Sequence, residues 1–242
     1  MQIDTRTRSS SFRYPEASLS KGIDSFVGLL KWPIAVASLI CLPGLALAMA
    51  DVVHAIYRSP RPIVPFVTAA GAYAVLWLAV LRRPSLVAIT SAEHELTHAV
   101  FAWLTFHRVI GLGAALRSGG HVRYVGKGNW LIAIAPYFVP LFALVLVGVM
   151  GLLPHRHLAI GSAALGLTVT YHFLATWPAT HRHQGDLREV GFLFRLVFLP
   201  AANALVYGVI LSAAVGLRPL LGFLRHVPTP TVAFVHWVMS LF

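Results

Sequence analysis

Residues 86–106 read LVAITSAEHELTHAVFAWLTF, an apolar run long enough to cross a bilayer with His94-Glu95-Leu96-Thr97-His98 near its centre. The pattern is H-E-x-x-H. On a helix, side chains four apart lie one turn apart on the same face. His94 and His98 therefore present two imidazoles to one point, and Glu95 sits between them in angle. Two neutral imidazoles at this spacing can bind one zinc ion from one side. The neighbouring carboxylate can accept a proton from a water that the ion activates. Ionisable groups in a membrane span cost about 2.5–3.5 kcal/mol each on insertion scales. Glu93, His94, Glu95 and His98 all crowd into this one segment. A passive lipid-facing helix has no use for them. The competing reading is a buried polar cluster that pairs with Arg or His elsewhere and binds nothing.

Composition sets the class. Of the 242 residues, 57% are hydrophobic and 11% are charged, against about 25% charged in an ordinary soluble domain. Mean hydropathy is +0.75. These values predict an all-α, multi-pass membrane bundle. The net charge of +11 is scattered through loops, without the basic face of a nucleic-acid module. It reads as interfacial anchoring instead. The single cysteine, Cys41, cannot form an internal disulfide. No cleavable leader is apparent, because residues 1–25 are polar and lack an apolar centre. They predict a solvated basic tail, with a short serine run at 9–11. Residues 26–242 predict a single membrane-embedded domain whose motif core is 86–216.

About six spans are expected. The first, 27–56, carries Pro43-Gly44, which predicts a kink or a split into a re-entrant pair. Lys31 and Trp32 mark an interface, and Asp51 and His54 lie at the far end. Residues 63–81 form the second span, closed by Arg82-Arg83-Pro84, and the motif helix is the third. Residues 107–128 then hold six glycines and four basic residues, too polar to span. Ser118-Gly119-Gly120 signals a turn, and His121-Val122-Arg123-Tyr124-Val125 alternates as a strand does. A small glycine-rich β-hairpin beside the motif helix is predicted. Its edge would take an extended peptide by strand addition, with Gly119, Gly120, His121 and Val122 as candidate substrate contacts. An ordinary glycine-rich connector is the alternative. The fourth span, 129–153, is broken by Pro136 and Pro140, which suggests that it lines a cavity. His155-Arg156-His157 is a turn whose histidines are more simply solvated than metal-bound. The fifth span, 158–177, is rich in small residues in its first half, which favours close helix packing. The sixth covers about 190–216. The last segment is too short to span with confidence, and Trp237 would anchor it at an interface.

A catalytic zinc needs a third protein ligand and an open position. The soluble-protease pattern would place a histidine at 104 and a glycine at 101, where this chain has Leu104 and Phe101. Downstream of the motif helix the only carboxylates are Asp186 and Glu189. Asp186 is preferred, since Gly185 lets the backbone come close. Glu189 stays open as the third ligand, His172, His181 and His183 as ligands or oxyanion contacts, and Glu93 and His172 as supporting groups. An Asp at a helix start also has a purely structural use against the helix dipole.

These residues resemble the site-2 protease family of intramembrane zinc metallopeptidases, in a small bacterial form without a PDZ domain. The resemblance rests on His94-Glu95-Leu96-Thr97-His98 in a membrane helix, the stretch Ser118-Gly119-Gly120-His121-Val122, a proline-interrupted helix, and Asp186. It covers about residues 86–216. It departs in the second motif, where Gly185-Asp186-Leu187 stands in place of Leu-Asp-Gly and no Asn-Pro is present. The resemblance implies zinc on His94, His98 and Asp186, with Glu95 as general base. It also implies a re-entrant hairpin that presents substrate, a transmembrane protein as that substrate, and a bacterial cytoplasmic membrane as location. The rival expectation is a non-proteolytic membrane metal-binding protein, or a carrier of metal or protons along Glu93, His94, His98 and His172. Lys and Arg outside six spans divide almost evenly, so orientation stays open.

Overall fold

A computed structural model describes residues 16–81, 87–115, 119–182 and 184–240. The serine run, Arg82-Arg83-Pro84, Ser118 and His183 lie outside them, as do the side chains of His121 and His181. The described chain is almost entirely helical, with one two-stranded sheet.

Helix α1 runs from Glu16 to Arg58, 43 residues without a break at Pro33 or Pro43. At 1.5 Å per residue it is about 65 Å long, roughly twice the hydrocarbon thickness of a bilayer. Two expectations are corrected here. The last ten residues of the predicted tail are helical, and Pro43-Gly44 does not split the span. Gly44 serves packing instead. A Cβ there would run into the Val227 carbonyl and Thr231, where the C-terminal helices cross α1.

A 3₁₀ turn, Arg61–Ile63, leads into α2, Val64–Leu76, which ends in a π turn, Trp77–Leu81. The motif helix α3 spans Val87–Leu104. Strands β1, Val109–Ala115, and β2, Gly119–Tyr124, pair antiparallel with a register irregularity between Val109 and Gly111. Gly119 and Gly120 are therefore strand residues, opposite Ala115 and Ala114, and not the turn that their composition suggests. Both strands pack on α3.

The proline-interrupted segment divides into α4, Trp130–Ile134, a 3₁₀ turn, Ala135–Tyr137, and α5, Leu141–Leu152, bent by 77°. Helix α6, Leu158–Arg182, packs on α2 so closely that a Cβ on Gly166 would overlap the Phe66 backbone. This is the close packing that small residues permit. Short α7, Gln184–Val190, precedes α8, Phe192–Val215, across Gly191, whose φ of +90° suits only glycine. Helices α9, Leu217–His226, and α10, Pro228–Met239, fold back against α1.

Four described helices are long and apolar enough to cross a membrane, or five if the bent α4–α5 pair is one span, against the six expected. Helix α3 is not among them. Its Glu93, His94, Glu95 and His98 lower its apolar character. The 12 residues of α10 are too few to span. An aromatic cluster of Trp130, Phe194 and Phe198 forms the core beside α4 and α7 and so braces the elements around the motif.

Candidate metal centre

Helical geometry puts His94 and His98 on one face of α3, and the fold brings Asp186 to them from α7. The three residues offer ligand atoms that all lie within 4.8 Å of one another. His98 Nε2 is 3.2 Å from His94 Nε2 and 3.5 Å from an Asp186 carboxylate oxygen. Two nitrogens held tetrahedrally by one zinc at 2.0–2.1 Å lie about 3.3 Å apart. The donor set fits such an ion in kind, and the two histidines fit it in spacing. The side chains of His98 and Asp186 keep 12% and 18% exposure, so the site is open to solvent.

One hydrogen bond fixes the chemistry of His98. Its Nδ1 lies 2.8 Å from the Ile132 carbonyl. A carbonyl only accepts, so Nδ1 carries a proton, and in the neutral imidazole this leaves Nε2 as the lone pair. The sequence of α4 explains why that carbonyl is available. Ile132 would normally receive the N–H of residue 136, which is Pro136 and has none. The Ala135 N–H goes to Leu131 instead. The proline thus frees an acceptor that His98 takes. In that neutral tautomer the Nε2 lone pair faces the Asp186 carboxylate, an arrangement that a cation between them suits.

Glu95 is 7% exposed and stands outside the three-donor group, yet within electrostatic reach of both His98 and Asp186. Glu189 is exposed. Between the two downstream carboxylates, the fold brings Asp186 to the histidines. The His94 ring stands edge-on to Tyr137, centroids 5.4 Å apart.

Glu93 and His172 find each other rather than the donor group. His172 Nδ1 lies 3.0 Å from one Glu93 oxygen, with side chains 3% and 1% exposed. The other Glu93 oxygen accepts the Phe142 N–H at 2.9 Å. Phe142 lies in the first turn of α5, whose N–H groups have no helical partner. Glu93 therefore caps α5 from another helix. The pair joins α3, α5 and α6.

A second polar network was invisible in the sequence. His107 Nε2 lies 3.2 Å from one Asp24 oxygen, and its Nδ1 lies 3.0 Å from Thr105 Oγ1. Asn129 donates to the other Asp24 oxygen at 2.8 Å and accepts the N–H groups of Leu131 and Ile132. Asn129 is thus the N-cap of α4. Its place just before an apolar run was the one available signal. The network ties α1 to the helix that carries the Ile132 carbonyl. Tyr124 stacks edge-on against His107. Burial, with Glu189, Asp186 and Asp24 nearby, pushes its phenol up to about 12, so the hydroxyl stays neutral.

Comparison with protein-family models, with curated proteins and with solved structures finds no match to this chain. The functional reading therefore rests on the geometry of the three converging donors.

Proposed function

We propose that this chain is an intramembrane zinc metallopeptidase that hydrolyses peptide bonds of membrane-embedded proteins, similar to the site-2 protease family. The observation that carries the reading is the convergence of His94, His98 and Asp186, whose ligand atoms lie within 4.8 Å of one another beside the buried Glu95. A zinc ion held by His94, His98 and Asp186 would supply a Lewis acid and a bound water acidified toward neutrality. Glu95 takes a proton from the attacking water and returns it to the leaving amine. The Ile132 carbonyl holds the His98 ring in the tautomer and orientation that a ligand needs.

A transmembrane helix hides its scissile carbonyl in its own hydrogen bonds, so the substrate must unwind locally. The β1–β2 pair packs on α3 and offers strand edges to an unwound segment. This supports the peptidase reading over a carrier, which would have no use for a strand beside its metal.

Purified protein, Glu95→Gln and Glu189→Ala should each retain about one equivalent of zinc by elemental analysis. His94→Ala and Asp186→Ala should lose it. Hydrolysis of a fluorogenic transmembrane peptide in liposomes should be seen with the parent protein and be absent in Glu95→Gln. Undiminished hydrolysis by Glu95→Gln would remove Glu95 from the mechanism. Zinc retained in Asp186→Ala would break the ligand set.

A further inference from the structure

A cleft of about 160 Å³, which none of the metal donors lines, opens between α5, α6, α8 and α9. Its walls are apolar and include Met150, Gly151, Leu158, Ala213, Leu217 and Leu220. His155 and His157 also line it, on the 3₁₀ turn between α5 and α6. The cleft sits where three candidate spans or half-spans stop: α5 at Leu152, α6 from Leu158, and α8 at Val215. It therefore lies at the level where hydrocarbon gives way to headgroups.

The charges at this end are mostly positive. Arg156 follows His155 on the turn and donates from Nε to His157 Nε2 at 3.1 Å, with its side chain exposed. Arg218 follows Leu217 at the start of α9 and is exposed too. Arg58, Arg61 and Arg225 lie on the neighbouring helix ends. Asp51 is an acid among them, and His226 stands 3.4 Å from it.

Helix α9 itself has three stripes. Phe223 is buried on Gly208, while Leu217, Leu221 and Leu224 are exposed beside Arg218 and Arg225. A helix with one edge on protein, one apolar edge outward and an arginine edge between suits the membrane interface.

We propose that this cleft binds an anionic phospholipid, the acyl chain entering between α5, α6 and α9 and the phosphate meeting Arg156 and Arg218. Guanidinium groups match phosphate oxygens in pairs, and basic pockets between membrane helices hold anionic headgroups in this way. The inference rests on the membrane placement of the chain and is independent of the peptidase reading.

The test uses the full chain extracted from membranes of mixed phosphatidylcholine and phosphatidylglycerol, with retained lipid counted by native mass spectrometry. The parent protein should keep phosphatidylglycerol in preference to phosphatidylcholine. Basic residues near an anionic surface contribute roughly fivefold each, so Arg156→Gln with Arg218→Gln should cut that preference about thirtyfold. Gly151 lines the cleft and a Cβ there meets nothing within 4 Å, so Gly151→Leu adds bulk at the cleft wall without a clash. It should lower retention of phosphatidylglycerol while the thermal unfolding midpoint in detergent, the check on folding, is unchanged. No preference in the parent protein, or an unchanged preference in the double variant, overturns the site. Full retention in Gly151→Leu overturns the acyl-chain assignment. Release of the protein from membranes by an alkaline carbonate wash would instead defeat the membrane placement.

Discussion

Pro136→Ala tests the link between a helix break and a metal ligand. In the present fold the Ile132 carbonyl receives no N–H from position 136 and accepts from His98 Nδ1 at 2.8 Å. Alanine restores a backbone donor whose ordinary partner is that same carbonyl. His98 then shares its acceptor, and the Nε2 lone pair is no longer enforced. Losing a partner that orients a metal-bound histidine typically weakens metal affinity 10–100-fold, or about 1.4–2.7 kcal/mol. Helix propensity pushes the other way. Alanine is preferred over proline by about 3 kcal/mol in a helix interior, and by less here because Pro136 sits in the first turn of the 3₁₀ segment. The metal-free variant should therefore unfold no earlier than the parent while binding zinc more weakly. Zinc titration against a fluorescent chelator reads the affinity, and thermal unfolding in detergent reads the stability. The visible spectrum of the cobalt-substituted protein reports the ligand geometry directly. Pro140→Ala is the control, because the carbonyl four residues before it belongs to Pro136 and not to Ile132. A zinc affinity in Pro136→Ala within twofold of the parent would refute the argument that the proline sets the His98 tautomer.

Two further perturbations probe the scaffold. Glu93→Ala leaves His172 and the Phe142 N–H without their carboxylate; removing one partner of a buried pair costs about 3–5 kcal/mol. Its unfolding midpoint should fall steeply, and an unchanged midpoint would mean that the pair contributes nothing. Gly166→Leu forces a side chain into the Phe66 backbone, so overpacking should destabilise the α2–α6 contact by about 1–3 kcal/mol. Wild-type stability in that variant would show that the two helices separate at little cost.

Much of the site was legible because it is local. The spacing of His94, Glu95 and His98 places them on one helical face whatever the rest of the chain does. Pro136 and Pro140 announced a broken span, and the small residues of α6 announced close packing. Glu93 was legible as a buried carboxylate but not as a cap. Its partners Phe142 and His172 come from two other helices, the latter 79 residues away. Asp24 looked like part of a polar tail. Only the packing of α1 against the α4 start gave it Asn129 as a partner, 105 residues on.

What the sequence determined by itself was the solvent and the motif: a chain too apolar and too poor in charge for water, with two imidazoles and a carboxylate locked one turn apart by backbone hydrogen bonds. The tertiary structure decided which distant acid meets them, which carbonyl orients His98, and that Gly44 serves a helix crossing. Local hydrogen bonds repeat at fixed intervals and can be counted along the chain. Contacts between helices depend on how whole faces pack, and no interval in the sequence records them.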